Sequence, residues 1–217
     1  MCSFLLLAVG CTPYHFYTIK SYDIPPETQA LVVDSDTLQI VYAVSRGANG
    51  MVINIQNKSE SPIFVDWSQS AVILDSKITV YPFDITGTAQ TMSGNPMGNT
   101  RFIPPRSTLQ STPIALRARI YTVEEMDRSF KKQIIKTTQG ESKTIRYTHY
   151  TPENSPIHFR SYLTFYSEKM PKTPMRIEHS FWASELLTCS DVHIFDKLKP
   201  KQKQPFDTNR NTKLLMF

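Results

Sequence analysis

Apolar and polar positions alternate along much of this chain. In Met51-Val52-Ile53-Asn54-Ile55-Gln56, one face carries Met51, Ile53 and Ile55 while the other turns polar towards its end, as in a half-buried strand. Asn57-Lys58-Ser59-Glu60-Ser61-Pro62 is rich in turn formers, and Ile63-Phe64-Val65-Asp66-Trp67 resumes the strand pattern. The two segments together predict a hairpin. Further strands are expected at 14–19, 38–44, 71–74, 78–81, 114–121, 144–150, 157–166 and 175–179. Within 157–166, Ile157, Phe159, Leu163 and Phe165 share one face, and His158, Arg160, Tyr162 and Thr164 share the other. That second face is open to two readings, cross-strand pairing with an acidic neighbour or exposed recognition.

Helical signals are few. Thr122-Val123-Glu124-Glu125 resembles a capping box, with Met126, Phe130 and Ile134 following at helical spacing, so a short helix is expected near 123–132. The run at 181–187 fits either a second short helix or one more strand. Strands at short spacing with Pro-rich turns make the expected fold class all-β, an antiparallel β-sandwich with one or two short helices. Fifteen prolines against seven glycines fit ordered loops, and residues 87–99 are the candidate for a mobile one. Trp67 shares a face with Ile63 and Val65, which favours a core anchor over a ligand platform. Pro104-Pro105 cannot both sit in a central strand, so they mark an edge or a crossover.

The N-terminal segment changes this picture. Phe4-Leu5-Leu6-Leu7-Ala8-Val9-Gly10-Cys11 is a short apolar run ending in small residues and a cysteine. It is far shorter than the ~20 residues needed to span a bilayer. It has the look of a lipoprotein signal, residues 1–10, cleaved before Cys11, whose thiol would then be acylated. No Lys or Arg precedes Phe4, which departs from the usual signal. Removal of the signal would also take Cys2, leaving Cys189 as the one unmodified thiol, expected to be a buried small hydrophobe. The sandwich is then assigned to 11–196. Residues 197–217, with Lys197, Lys199, Lys201, Lys203, Arg210 and Lys213, read as a basic disordered tail. The net charge of +5 lies partly in that tail, and no basic stripe interleaved with aromatics suggests nucleic-acid binding.

Catalytic and metal motifs are missing. There is no H-E-x-x-H, C-x-x-C or G-x-S-x-G, and no phosphate-binding glycine loop. His15, His149, His158, His179 and His193 are scattered, and only His149 and His158 would face each other, across a hairpin. Asp34-Ser35-Asp36 has too few oxygen ligands for a calcium loop and reads as a turn. Glu124, Glu125 and Glu185 could serve a glycosidase only if the fold paired two carboxylates in a cleft. No catalytic residue, cofactor or metal is assigned, and Cys11 is the one named site, for lipid attachment.

Several segments together resemble a family of uncharacterised Bacteroidetes-type lipoproteins. Asn57-Lys58-Ser59 through Asp66-Trp67 and Ser70 is similar to its N-K-(S/T)-x-x-P-I-(Y/F)-(I/V)-D-W-x-x-S stretch. Ile103-Pro104-Pro105-Arg106-Ser107 is similar to its I-P-P-(K/R)-S turn. Phe159–Thr164 and His179–Glu185 resemble two later segments, and the resemblance covers roughly residues 12–190. It implies an immunoglobulin-like sandwich and a lipobox, and it supplies no catalytic residues. Asp36-Thr37-Leu38 matches a short O-glycosylation pattern known in that phylum. With no acidic residue directly after Cys11, the resemblance implies an outer-membrane lipoprotein facing the periplasm. The functional expectation is a non-enzymatic binding or scaffolding module, anchored by its N-terminal lipid, with an envelope protein or a glycan as partner. The alternatives are an envelope carbohydrate-active enzyme with a site built from loops such as 84–100, and a subunit that joins an assembly by strand addition at an open edge.

Overall fold

The computed structural model describes residues 13–24, 31–45, 50–74, 77–80, 100–111, 113–116, 121–198 and 213–216. The candidate signal at 1–10, Cys11 and the 87–99 loop lie outside them. The strands run in chain order β1 (Tyr14–Ser21), β2 (Leu31–Asp34), β3 (Leu38–Ser45), β4 (Gly50–Asn57), β5 (Ile63–Asp66), β6 (Ala71–Leu74), β7 (Lys77–Val80), β8 (Thr100–Ile103), β9 (Thr108–Gln110) and β10 (Ile114–Ala115). Helix α1 (Val123–Ser129) follows, then β11 (Lys131–Lys136), β12 (Ser142–His149), β13 (His158–Ser167), β14 (Met170–Cys189), helix α2 (Ile194–Lys197) and β15 (Lys213–Met216).

Two antiparallel sheets pack face to face, as the alternation predicts. The small sheet holds β2, β3 and β4, with β9 and β10 in line along the far side of β4. The large sheet is organised by the 20-residue β14. One side of β14 pairs with β13 (over 170–182) and then with β12 (over 185–188), which lie end to end. Its other side pairs with β1 over 181–189. Beyond β13 come β5, β6, β7 and β8. The main core lies between the sheets and includes Tyr17, Tyr42, Ile53, Val65, Trp67, Phe165 and Phe181. Trp67 is 5% exposed, as expected of a core anchor.

The segment at 181–187 is strand, and its continuous apolar run has a physical reason. A bulge between Thr18 and Ile19 sets Thr18 opposite Glu185 and Ile19 opposite Ala183, leaving Ser184 as the extra residue. Past the bulge both faces are covered. Leu186 enters the main core, while Leu187 and Cys189 enter a second cluster with Phe16, Ile145, Ile194 and Phe195. A strand buried on both faces reads as unbroken hydrophobicity rather than alternation.

Four expectations are corrected. The predicted hairpin of 51–56 with 63–67 does not form: β4 pairs with β3, β9 and β10, whereas β5 belongs to the other sheet. Residues 58–62 are an arch between sheets, held by the fully buried Asn57. Its Nδ2 donates to the carbonyls of Ser61 (2.9 Å), Ile103 (3.1 Å) and Pro104 (3.1 Å), and its Oδ1 accepts from Ser59 N–H at 3.0 Å. Pro104 thus lies at that crossover. Helix α1 has its capping box, Thr122 with Glu125, but ends at Ser129. Ile134, in helical spacing with Met126 and Phe130, is an exposed residue of β11, because Ile135 turns into the second cluster.

Of the strand expected at 114–121, the described residues show β10, with Leu116 and Tyr121 outside it and 117–120 outside the described residues. The expected disordered tail is folded at both ends. Lys197 closes α2 with its Nζ 2.7 Å from Asp191 Oδ2, Leu198 is buried, and β15 pairs with β1. Residues 199–212 lie outside the described residues.

Candidate functional site

The second face of β13 looks outward from the large sheet, away from the small one, at His158, Arg160 and Tyr162, whereas Thr164 is buried, its Oγ1 donating to Gln69 O at 2.8 Å. Register builds a row across it: Ile73 on β6 opposes Arg160 on β13, which opposes Ser180 on β14. Tyr22, just past β1, extends the row, its N–H donating to Ser180 O at 3.0 Å. One row over, His158 opposes Trp182, which opposes Lys20. Ser180 is the small residue amid large neighbours, and a recess of about 330 Å³ opens above it. Tyr22, His158, Arg160 and Ile73 form its rim, over the strand segments of Phe159 and Phe181. Those two residues send their rings the other way, into the core, where they stack at 4.8 Å.

The rim is held from below and beside. Asp23 Oδ2 accepts from Ser180 N–H at 2.6 Å, and Ser21 Oγ donates to Ser180 O at 2.9 Å, so the turn carrying Tyr22 is tied to β14. The Tyr22 ring lies 6.3 Å from that of Trp182, tilted by 46°, and its hydroxyl is 3.5 Å from His158 Nδ1. Arg160 Nη1 donates to Glu178 Oε1 at 2.9 Å, so the pairing named in one of the two readings of this face is present. Partial burial, and then the nearby Glu153 carboxylate, push the Tyr22 phenol above its ordinary value. The Ser180 hydroxyl has no hydrogen-bond partner among the described residues, and Arg160 and His158 each engage one nitrogen only.

The remaining sequence candidates are dispersed. His149 and His158 do not face each other, because β12 and β13 pair with β14 and not with one another. His149 lies instead beside the buried Glu185, 3.7 Å away, and Thr18 Oγ1 donates to Glu185 at 3.1 Å. His15 is buried, donating from Nδ1 to Pro13 O and accepting at Nε2 from Tyr121 N–H. His179 is buried against the Tyr42 hydroxyl at 2.8 Å. His193 is exposed, 3.9 Å from Asp196. Among the described residues no group of three His, Cys, Asp or Glu could hold a metal.

Glu125 closes the capping box of α1, Glu124 is exposed, and Glu185 is buried on β14. Cys189 is buried, and burial pushes its thiol up. Asp34 meets Lys58 at 2.9 Å beside the β2–β3 turn, where Asp36 and Thr37 are exposed. Cys11 lies outside the described residues.

Sequence reasoning found Arg160 and His158 through alternation, and missed Tyr22, Ile73, Ser180 and Trp182 as neighbours. They come from three separate stretches, and only the pairing register brings them together. The segments that carry the family resemblance serve mostly the architecture. Asp66 caps the 3-10 turn at Trp67–Gln69, accepting from Ser68 N–H at 3.0 Å. Ser70 Oγ donates to Asp66 O at 2.6 Å and accepts from Thr164 N–H at 3.0 Å, tying that turn to β13. Comparison with family models, with curated proteins and with solved structures found no match.

Proposed function

We propose that this chain is a lipid-anchored cell-envelope protein that acts as a non-enzymatic binding module, with the outer face of the large sheet as its binding surface. The observation that carries the reading is the recess. Exposed aromatic and hydrogen-bonding side chains converge there on a rigid, doubly paired part of the sheet, and small-molecule sites have that composition. The anchor rests on Ala8-Val9-Gly10-Cys11 and on the resemblance to Bacteroidetes-type lipoproteins with immunoglobulin-like domains. That resemblance also favours an outer-membrane location facing the periplasm. β1 begins at Tyr14, so an acylated Cys11 would hold the domain close to the bilayer.

The position of the recess fits a tethered receptor. It lies nine residues along β14 from the end that pairs with Tyr14, about 31 Å at the rise of an antiparallel strand. Strand addition is the less favoured alternative. The first half of β14 lacks a second partner strand among the described residues, but it carries Pro171, Lys172 and Pro174, which blunt an edge.

Two measurements test the proposal. Growth with a radiolabelled fatty acid should label the wild type and not Cys11→Ser, and equal label in both defeats the anchor. Retention of the purified protein on native envelope material should fall for Tyr22→Ala. Unchanged retention defeats the assignment of the face.

A further inference from the structure

The recess has features that narrow its ligand class, given the reading of this face as a binding surface. Its polar groups are of mixed kind: a phenol, an imidazole, a guanidinium and the Ser180 hydroxyl, which has no partner among the described residues. Donors and acceptors of this variety suit a ligand with several hydroxyl groups rather than one charged group.

Charge points the same way. Arg160 is paired with Glu178, Asp23 sits on the Ser180 amide, and Glu153 is close enough to act on the Tyr22 phenol. Lys20 lies one row away. Three carboxylates against two cations offer no net attraction to a phosphate or a polyanion. A nucleotide or an acidic polymer is therefore disfavoured.

A peptide bound as an added strand is disfavoured by topology. At the recess β13 lies between β6 and β14, and β14 is itself flanked by the Ser21–Tyr22 turn, so the ladder groups there are already used. What remains is a neutral, hydroxyl-rich molecule with an apolar side to lay on Tyr22, which is 52% exposed. The volume of about 330 Å³ stands at the small end of the range for ligand sites, which is roughly 300–1,000 Å³. It suits one ring rather than several.

We propose that the recess takes one pyranose residue of a neutral glycan, its apolar face against Tyr22 and its hydroxyls on Ser180, His158 and the Arg160 nitrogens other than the one on Glu178. The depression is open to solvent on the sheet face, so the rest of the glycan can extend away from the sheet.

The two tryptophans give a clean readout, since Trp67 is in the core and Trp182 borders the Tyr22 ring. The full chain carrying Cys11→Ser is titrated with a panel of neutral methyl pyranosides, and the two indole N–H signals are followed by NMR. At least one pyranoside should move the Trp182 signal and leave that of Trp67 in place. Tyr22→Ala should weaken the effect about tenfold, the size of one lost aromatic contact. Ser180→Val, which fills the floor, should abolish it. Movement of neither signal by any pyranoside up to its solubility limit overturns the saccharide assignment.

A second arm separates this inference from the reading beneath it. Retention on native envelope material is compared before and after periodate, which cleaves the vicinal diols of glycans. Loss of retention after periodate is expected. Retention that needs Tyr22 and survives periodate overturns the glycan and leaves the binding face. Retention independent of both overturns the two together.

Discussion

The two halves of β14 belong to one strand and live in different surroundings. From Ala183 to Cys189 every residue is buried, with β1 on one side, β12 on the other and a hydrophobic cluster on each face. From Met170 to Thr173 every residue is exposed, and β13 is the only paired neighbour among the described residues. The recess lies at the junction, where Ser180 and Trp182 still face solvent and Phe181 already faces the core. Rigidity comes from one half and accessibility from the other, which is what a binding surface on a sheet needs.

The largest expected contrast is in packing. Leu186 is fully buried in the main core, so Leu186→Ala should cost about 2–5 kcal/mol of stability. Met175 is 45% exposed, so Met175→Ala should stay within about 0.5 kcal/mol. Urea unfolding of both variants measures the difference directly. Equal losses would mean that the two halves are not distinct in solution.

That contrast explains what the sequence could and could not show. Alternation is legible where one face is wet, so β3, β4, β6 and β13 were marked to within a residue or two at most ends. It says nothing about which strands pair. The Asn57–Pro62 segment therefore looked like a hairpin turn, although its Asn57 side chain ties the two sheets together. The three-residue β9 carries too few positions to show a period, and β11 is hidden by the helical spacing of Met126, Phe130 and Ile134. The site was half legible for a similar reason: Arg160 and His158 lie on one readable strand, but Ser180 and Tyr22 join them only through register.

Carboxylates sharpen the comparison on a smaller scale. Glu185 in the buried half is 3% exposed and accepts from Thr18, so Glu185→Ala should cost about 1–3 kcal/mol by stranding buried polar groups. Glu178 in the exposed half pairs with Arg160, both side chains being about half exposed, so Glu178→Ala should cost about 0–1 kcal/mol. Calorimetric unfolding of the two variants ranks them. A Glu178 effect as large as that of Glu185 would show that the surface pair is more rigid than its exposure implies.

A pH effect follows from the histidines at the sheet interior. Burial lowers the pKa of His179 from 6.5, partly opposed by Asp23. Burial also lowers that of His15, opposed by its backbone bonds to Pro13 and Tyr121. Below 6.5 the unfolded chain binds protons that the folded chain refuses. Their contribution to stability is therefore complete above that value and is lost as pH falls through the lower folded values. Denaturation midpoints should decline as pH is lowered below neutrality, and His15→Gln with His179→Gln should flatten that decline. An unflattened decline would assign it to other groups.

The smallest effect on stability should come from the open edge itself. Pro171 and Pro174 lie in the exposed half, where each removes a backbone donor from a strand lacking a second partner among the described residues. Replacing both by threonine suits strand geometry and removes no buried contact, so stability should change by no more than about 0.5 kcal/mol. Association should change instead, because restored donors make the edge a template for a second strand. Sedimentation velocity over a range of concentrations should show the P171T/P174T variant forming dimers where the wild type does not. A variant that stays monomeric would place the guard of this edge elsewhere, with Lys172, Arg176 and Glu178 as the charges on it. The buried half would be indifferent to either outcome, since β1 and β12 already occupy both of its sides.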